Sequence, residues 1–451
     1  MTLGRHWPLG ITVAVLASGV VGVLLTLQTG SVVPLLLPVG LVGVAVIGPR
    51  LFSDPVSVIS LLLVFIVNCD YFHVVGKISL DVLISSLLLW AILIRNSLDT
   101  RKILFQSTAE KLFIAYLVVT FISLLLSVSP LASIKRWGRD FEFLILFSFL
   151  LSVPLTTTHF RRLTMATMLS AILPCIIGLL GLWLGIESLL GRNTPISDTV
   201  SVPRISSTLP HAVIFALYLG VTSVITLSFL IDGRFFKRRW LLPLFILQVV
   251  VLYMTYGRTG WGGFVFGVAA LLWLRGRRWV LLIGAPLALI AFSIMLPSFI
   301  GRWAVALEDD ADANSLIFRI QLWQSALELF PNRPIFGSGP GTFVQYVAFR
   351  GGYAPHQTWI GVLVETGIAG MITFVALLAG LFRTMWRRYK LSPPGSDPLL
   401  EGVFAVWIGL LGASLTQHTF ALPSYGVYVW VLTAIALRDD SIFKPRLING
   451  K

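Results

Sequence analysis

The chain has 451 residues, of which 56% are hydrophobic and only 12% charged, with a formal net charge of +14. A soluble domain carries roughly 25% charged residues because water must wet its surface, so this composition excludes an ordinary soluble globular protein. It also excludes nucleic acid as the reason for the positive charge. Lys and Arg lie mainly in short connections between hydrophobic runs, where they act as topology signals and lipid-headgroup contacts.

The runs follow one another at about 10–28, 31–48, 56–69, 80–94, 111–127, 139–153, 163–186, 210–231, 240–256, 260–274, 279–297, 357–382, 401–417 and 421–437. A hydrocarbon core of about 30 Å is crossed by about 20 apolar helical residues, and backbone groups in lipid need internal partners. The expectation is therefore an all-α polytopic membrane protein of 12–14 transmembrane helices, residues 1–451 forming one membrane domain. The third, fourth and sixth runs are short for a full crossing, which sets the lower figure. Arg5 followed by the apolar run Leu9 to Leu27 has the layout of a signal peptide. A second run follows at once, so the first is read as a retained span.

Charge orients the expected spans. With both termini in the cytoplasm, 23 of the 34 basic residues fall in cytoplasmic segments. The other side holds Lys77, Lys135, Arg136, Arg139, Arg192, Arg204, Arg258, Arg302, Arg319, Arg333 and Arg350. Excess Lys and Arg marks the cytoplasmic side. The outer side then carries one large loop, 298–356, bearing short amphipathic helices. About sixty residues are too few for a domain with its own core and enough for a lid of one or two helices. No internal repeat or low-complexity tract is visible. Cys69 and Cys175 sit inside hydrophobic runs, with neither metal-ligand spacing nor a disulfide framework.

Three outer segments carry candidate chemistry. In Tyr256-Gly257-Arg258-Thr259-Gly260-Trp261 two runs meet with almost no linker, and the glycines permit a close turn. Arg258 there is either a phosphate ligand, for which its planar fork suits it, or a snorkelling interfacial arginine. Arg204, in Pro-Arg-Ile-Ser-Ser-Thr-Leu-Pro-His, makes a second phosphate contact or belongs to a helix cap in which Ser207 or Thr208 satisfies free amides. In the large loop, FRIQLWQSALELF repeats apolar residues at near-helical spacing (Ile317, Ile320, Trp323, Ala326, Leu327, Phe330) and reads as a helix lying on the bilayer. Arg319 on it reaches a phosphate or a lipid headgroup. His356 follows Pro355 and precedes a span. Histidine suits proton movement near neutral pH, although a lone interfacial histidine is more often structural. His73, His211 and His418 share its side in this topology. Glu308, Asp309, Asp310 and Asp312 have the spacing to hold a divalent metal, but a solvated loop is the preferred reading.

These segments together resemble the O-antigen ligase and polymerase superfamily, the WaaL/Wzy-like polytopic membrane proteins. The likeness rests on Arg319 with Trp323, on Pro334, Gly337, Ser338, Gly339, Gly341 and Phe343, on His356-Gln357, and on Glu365, Gly367 and Gly370. Gly257-Arg258-Thr259-Gly260 looks like that family's short arginine motif, and Arg204 lies where another family arginine is expected. The family's usual residue after the histidine is Asn, where this chain has Gln357. The resemblance implies transfer of a glycan from a polyprenyl (undecaprenyl) diphosphate carrier to an acceptor hydroxyl at the outer face of the bacterial cytoplasmic membrane. It implies no cofactor and no metal, with Arg204, Arg258 and Arg319 on the diphosphate and His356, supported by Gln357, on the acceptor. The expected partners are the lipid-linked glycan donor, a glycan, lipid or protein acceptor, and membrane lipids. A ligase is the favoured form, with a polymerase of the same superfamily or a bicarbonate-related membrane transporter as alternatives. A transporter usually keeps ionisable residues in mid-span, and the span interiors here are nearly free of charge.

Overall fold

The computed structural model describes residues 54–69, 73–75, 78–79, 105–186, 190–197, 200–277, 316–349, 352–420 and 423–438. The expected spans at 10–28, 31–48, 80–94 and 279–297 and the acidic cluster from Glu308 to Asp312 lie outside the described residues.

The hydrophobic runs form helices: α1 (Pro55–Cys69), α2 (Thr108–Leu125), α3 (Pro130–Ser152), α4 (Thr157–Leu169), α5 (Ile172–Leu184), α6 (Ala212–Asp232), α7 (Arg238–Met254) and α8 (Arg258–Leu274). After the segment that lies outside the described residues come α9 (Leu316–Leu329), the short α10 (Phe343–Val347), α11 (Thr358–Lys390), α12 (Pro398–Ser414) and α13 (Pro423–Ala436). Among the described residues, four stretches are long and apolar enough to cross a membrane: α2, the α4–α5 pair, α6 and α11. The fold is that of an all-α polytopic membrane protein.

Differences from the expected pattern have local causes. Residues 130–140, expected as an outer connection, are the first turns of α3, opened by Pro130 in the first turn, where a missing N–H costs nothing. The run 163–186 is two helices. Pro174 cannot donate to the carbonyl of Ser170, and the chain restarts there, with Ser170 Oγ bonded to Thr167 O at 2.7 Å and to Tyr218 Oη at 2.6 Å. Beyond α5, an antiparallel hairpin of β3 (Leu190–Ser197) and β4 (Val200–Ile205) pairs Gly191 with Arg204. A smaller hairpin joins β1 (His73–Val75) to β2 (Ile78–Ser79).

Helix α6 is the axis of the core, buried on nearly every face. It packs against α7, α8 and α12. In lipid such packing rests on close backbone approach. A Cβ on Gly260 would lie 2.3 Å from the Ala216 Cβ, and one on Gly409 would lie 2.4 Å from the Gly263 carbonyl oxygen.

Helix α11 breaks at Gly367 (φ 68°, ψ −171°), and the Pro334–Gly341 loop fills the break. Ser338 N–H donates to Val364 O at 3.0 Å and Gly339 N–H to Glu365 O at 2.8 Å. In return Ile368 N–H donates to Pro334 O at 2.8 Å and Ala369 N–H to Ile335 O at 3.1 Å. The Glu365 carboxylate accepts from Gly341 N–H at 2.9 Å and Phe343 N–H at 3.2 Å. Helical hydrogen bonds lost at the break are thus remade by the loop. Gly367 is required there, since a Cβ would sit 2.2 Å from Ile335 O. The interlock holds α9 in place. Phe318, Leu322 and Ala326 of α9 are buried against Phe343, Val347 and Val364. Of the expected apolar stripe, Ala326 faces inward, while Ile320 and Leu327 are exposed.

Candidate functional site

The chain reverses between α7 and α8 in three residues. The left-handed position of this turn belongs to Tyr256 (φ 50°), not to a glycine. Gly257 is needed for a different reason: a Cβ there would approach the Ala216 Cβ to 2.6 Å. Trp261 braces the turn by donating Nε1–H to Leu252 O at 2.8 Å and stacking on Tyr253 at 5.5 Å. Arg258 is the first residue of α8, exposed, on a helix end with no side-chain cap. Free N–H groups and the helix dipole there favour an anion.

Arg204 reaches the same turn from β4. Its Nε–H donates to Thr255 O at 3.0 Å, so it ties the hairpin to the residues just before Arg258. Ser207 does not form the cap. Ser207 Oγ donates instead to Pro174 O at 2.6 Å, and His211 stands at the start of α6 without capping it.

Arg319 comes in on α9. One Nη–H donates to Thr416 O at 3.2 Å, while its Nε is buried and has no hydrogen-bond partner. Burial and the Arg258 charge beside it hold its pKa below the ordinary guanidinium value. Among the described residues no carboxylate pairs with Arg258 or Arg319.

His356 is held on a left-handed backbone (φ 50°), a conformation non-glycine residues keep only where the surroundings impose it. The surroundings are visible on both sides. Pro355 O accepts Trp323 Nε1–H from α9 at 2.8 Å. The Gln357 side chain caps α11 by accepting the Ile360 N–H. The amide that faces the histidine ring is that of Gln417, whose Oε1 lies 3.3 Å from His356 Nδ1. Burial first, then the Arg319 charge and His211, push the His356 pKa below 6.5. His418, next to Gln417, is half-buried, and its pKa is pushed down to about 3 by desolvation and by Arg136.

The predicted residues Arg258, Arg319 and His356 are thus brought together, with Arg204 on the adjoining turn and Gln357 beneath His356. Gln417 was not singled out by sequence reasoning. The only signal was a polar run, Thr416-Gln417-His418-Thr419, directly after a span. Among the described residues no group of three His, Cys, Asp or Glu side chains is placed to hold a metal ion. Chemically the cluster offers fixed positive charge without carboxylates and a neutral imidazole beside it. It suits a polyanion and a group that loses a proton.

Residues 243–375 match the family model described as O-antigen ligase, which supports placement in the O-antigen ligase and polymerase superfamily. The match takes in Arg258, Arg319, the Pro334–Gly341 loop, His356, Gln357 and Glu365, and leaves out Arg204 and Gln417. No curated protein matches the chain.

Proposed function

From an O-antigen ligase domain at residues 243–375, we propose that the protein transfers a glycan from a polyprenyl diphosphate carrier to an acceptor hydroxyl, in the manner of an O-antigen ligase. The bond between the anomeric carbon and the diphosphate oxygen breaks, and the bonding electrons leave with the diphosphate. The acceptor oxygen forms the new glycosidic bond, and its proton passes to His356. Arg258 and Arg319 hold the diphosphate, with Arg204 fixing the turn that carries Arg258. Negative charge grows on the leaving group in the transition state, where pre-placed guanidiniums stabilise it most. His356 serves as base, since its lowered pKa keeps it neutral near pH 7. Gln357 supports it by capping α11 directly behind it.

The observation that carries this reading is the meeting of three separate elements on one short segment: Thr259, next to Arg258, and Arg319 both contact Thr416, at 3.2 Å each, and His356 Nδ1 lies 3.3 Å from the adjacent Gln417. The test is the glycan and lipid profile of a deletion strain complemented with His356→Ala. Lost transfer with normal membrane insertion is expected, and full transfer overturns the mechanism. Free carrier-linked polymer in the deletion strain marks a ligase, and single carrier-linked repeat units mark a polymerase.

The site is assigned to the outer face of the cytoplasmic membrane. The support is the charge bias and the position of Arg275, paired with Glu401, and Arg234, paired with Asp232, at the other end of the bundle. Pro331→Cys, in the exposed loop after α9, should react with a membrane-impermeant thiol reagent in intact cells when the native cysteines are replaced by serine. Labelling only after cell lysis would reverse the orientation.

A further inference from the structure

The segment that follows α12 is held at nearly every backbone carbonyl. Thr416 O accepts from Arg319 at 3.2 Å, Gln417 O from Thr358 Oγ1 at 2.9 Å, Thr419 O from the Tyr425 hydroxyl, and Phe420 O from Arg136 at 3.1 Å. Gln417 N–H and Thr419 N–H are also engaged, with Ala413 O at 3.0 Å and Thr358 Oγ1 at 3.0 Å. A residue anchored in this way projects its side chain from a rigid base. That side chain meets the His356 ring at Nδ1. The His356 backbone is fixed on both sides by the Trp323 and Gln357 contacts, which leaves ring orientation as its remaining freedom.

We propose that Gln417 is a positioning residue, which holds the His356 imidazole by its Nδ1 edge and presents Nε2 to the acceptor. The inference rests on the proposed role of His356 and adds a residue that lies beyond the matched segment. With Nδ1–H donating to the amide oxygen, Nε2 carries the lone pair. When Nε2 takes up a proton, the amide oxygen still accepts from Nδ1–H, so the bond persists through the reaction. The choice of an amide has an electrostatic meaning. The charged and titratable groups around the ring are Arg319 from α9, His211 at the start of α6 and His418 beside Gln417, with Arg258 of α8 behind Arg319. Of these, Arg319 and His211 favour the neutral ring. A carboxylate in place of Gln417 would oppose them and hold the proton on His356 at working pH.

The test reads His356 without any glycan substrate. The full-length protein in detergent is treated with diethyl pyrocarbonate across pH, and modification at His356 is followed by peptide mass spectrometry. The reagent attacks the neutral ring, so the midpoint of the profile reports the His356 pKa. Gln417→Leu removes the acceptor, and the midpoint should fall. Gln417→Glu keeps the shape and adds charge, and the midpoint should rise by about one unit or more. A Gln417 side chain that does not engage the ring would leave both midpoints at the wild-type value. An unmoved midpoint in Gln417→Glu overturns the proposal, and so does an unmoved or raised one in a folded Gln417→Leu. Failure here is separate from failure of the transfer mechanism, which His356→Ala tests on its own.

Discussion

Arg275 and Arg234 at one end of the bundle are used in the opposite way to Arg258 and Arg319 at the other. At the end where α6 stops and α12 starts, Arg275 donates to the Glu401 carboxylate at 2.9 Å and to Ser228 Oγ at 2.8 Å, with both charged side chains almost wholly buried. Arg234 there pairs with Asp232 and donates to Gly395 O at 2.8 Å. At the other end Arg319 makes one contact to a carbonyl and keeps a buried Nε without a partner, and Arg258 stands exposed at the head of α8. A saturated arginine is part of the scaffold. A desolvated arginine beside a second one, with no carboxylate to offset them, stores repulsion that an anionic ligand relieves.

The sharpest way to break this comparison is to remove one member from each end. Glu401→Ala leaves the Arg275 charge buried and unpaired. It should cost about 3–5 kcal/mol of stability, read as a lowered melting temperature, with activity per folded molecule retained. Arg258→Ala should do the reverse: transfer falls by about 10²–10³-fold while melting stays at the wild-type value. A melting loss in Arg258→Ala larger than in Glu401→Ala would collapse the distinction between the ends.

A smaller effect is expected at Arg204, which belongs partly to each class. Arg204→Lys removes the Nε–H that reaches Thr255 O while keeping the charge. Loss of a charged hydrogen bond amounts to about 1.5 kcal/mol, or roughly tenfold in transfer, as the turn carrying Arg258 loosens. Unchanged kinetics would make Arg204 a charge contributor only.

The smallest expected effect is on pH. The His356 pKa lies below 6.5, through burial and the Arg319 charge, and the proposed base role requires the neutral ring. The rate should therefore be flat around pH 7 and fall only as pH drops below 6.5 through the lowered value. Arg319→Gln removes one of the lowering charges, so its acid limb should move to higher pH. The linkage to stability has the same sign. In the unfolded chain the ring protonates near 6.5, so the stability contributed by the neutral folded ring is complete above that pH and is lost as pH falls from there toward the folded pKa.

Much of this comparison was legible along the chain. Arg258 stood out because a polar break of a few residues separates two apolar runs, and His356 because it follows Pro355 at the edge of a span. The Pro334–Gly341 loop and Glu365 were recognised as a motif, but not as two halves of one interlock. Their hydrogen bonds join residues more than twenty positions apart. Gln357, expected to support the histidine through its amide, spends that amide on the end of α11. The amide at the histidine comes from Gln417, sixty-one residues away. The apolar stripe of α9 was read along the chain, but not the second apolar face, Phe318, Leu322 and Ala326, that packs inward, since periodicity alone does not choose between two apolar faces.

By itself, then, the sequence determined that the chain is a membrane-type helical bundle and roughly where its helices run, because burial in lipid is written into composition one run at a time. It also marked the residues able to carry chemistry, through the cost of placing a polar group at an apolar boundary. The tertiary structure alone decided that Arg258, Arg319 and His356 come together, that the loop seals the break at Gly367, and that Gln417 faces the imidazole. Each of these depends on contacts between elements far apart in the chain, and composition carries no information about which helix ends meet.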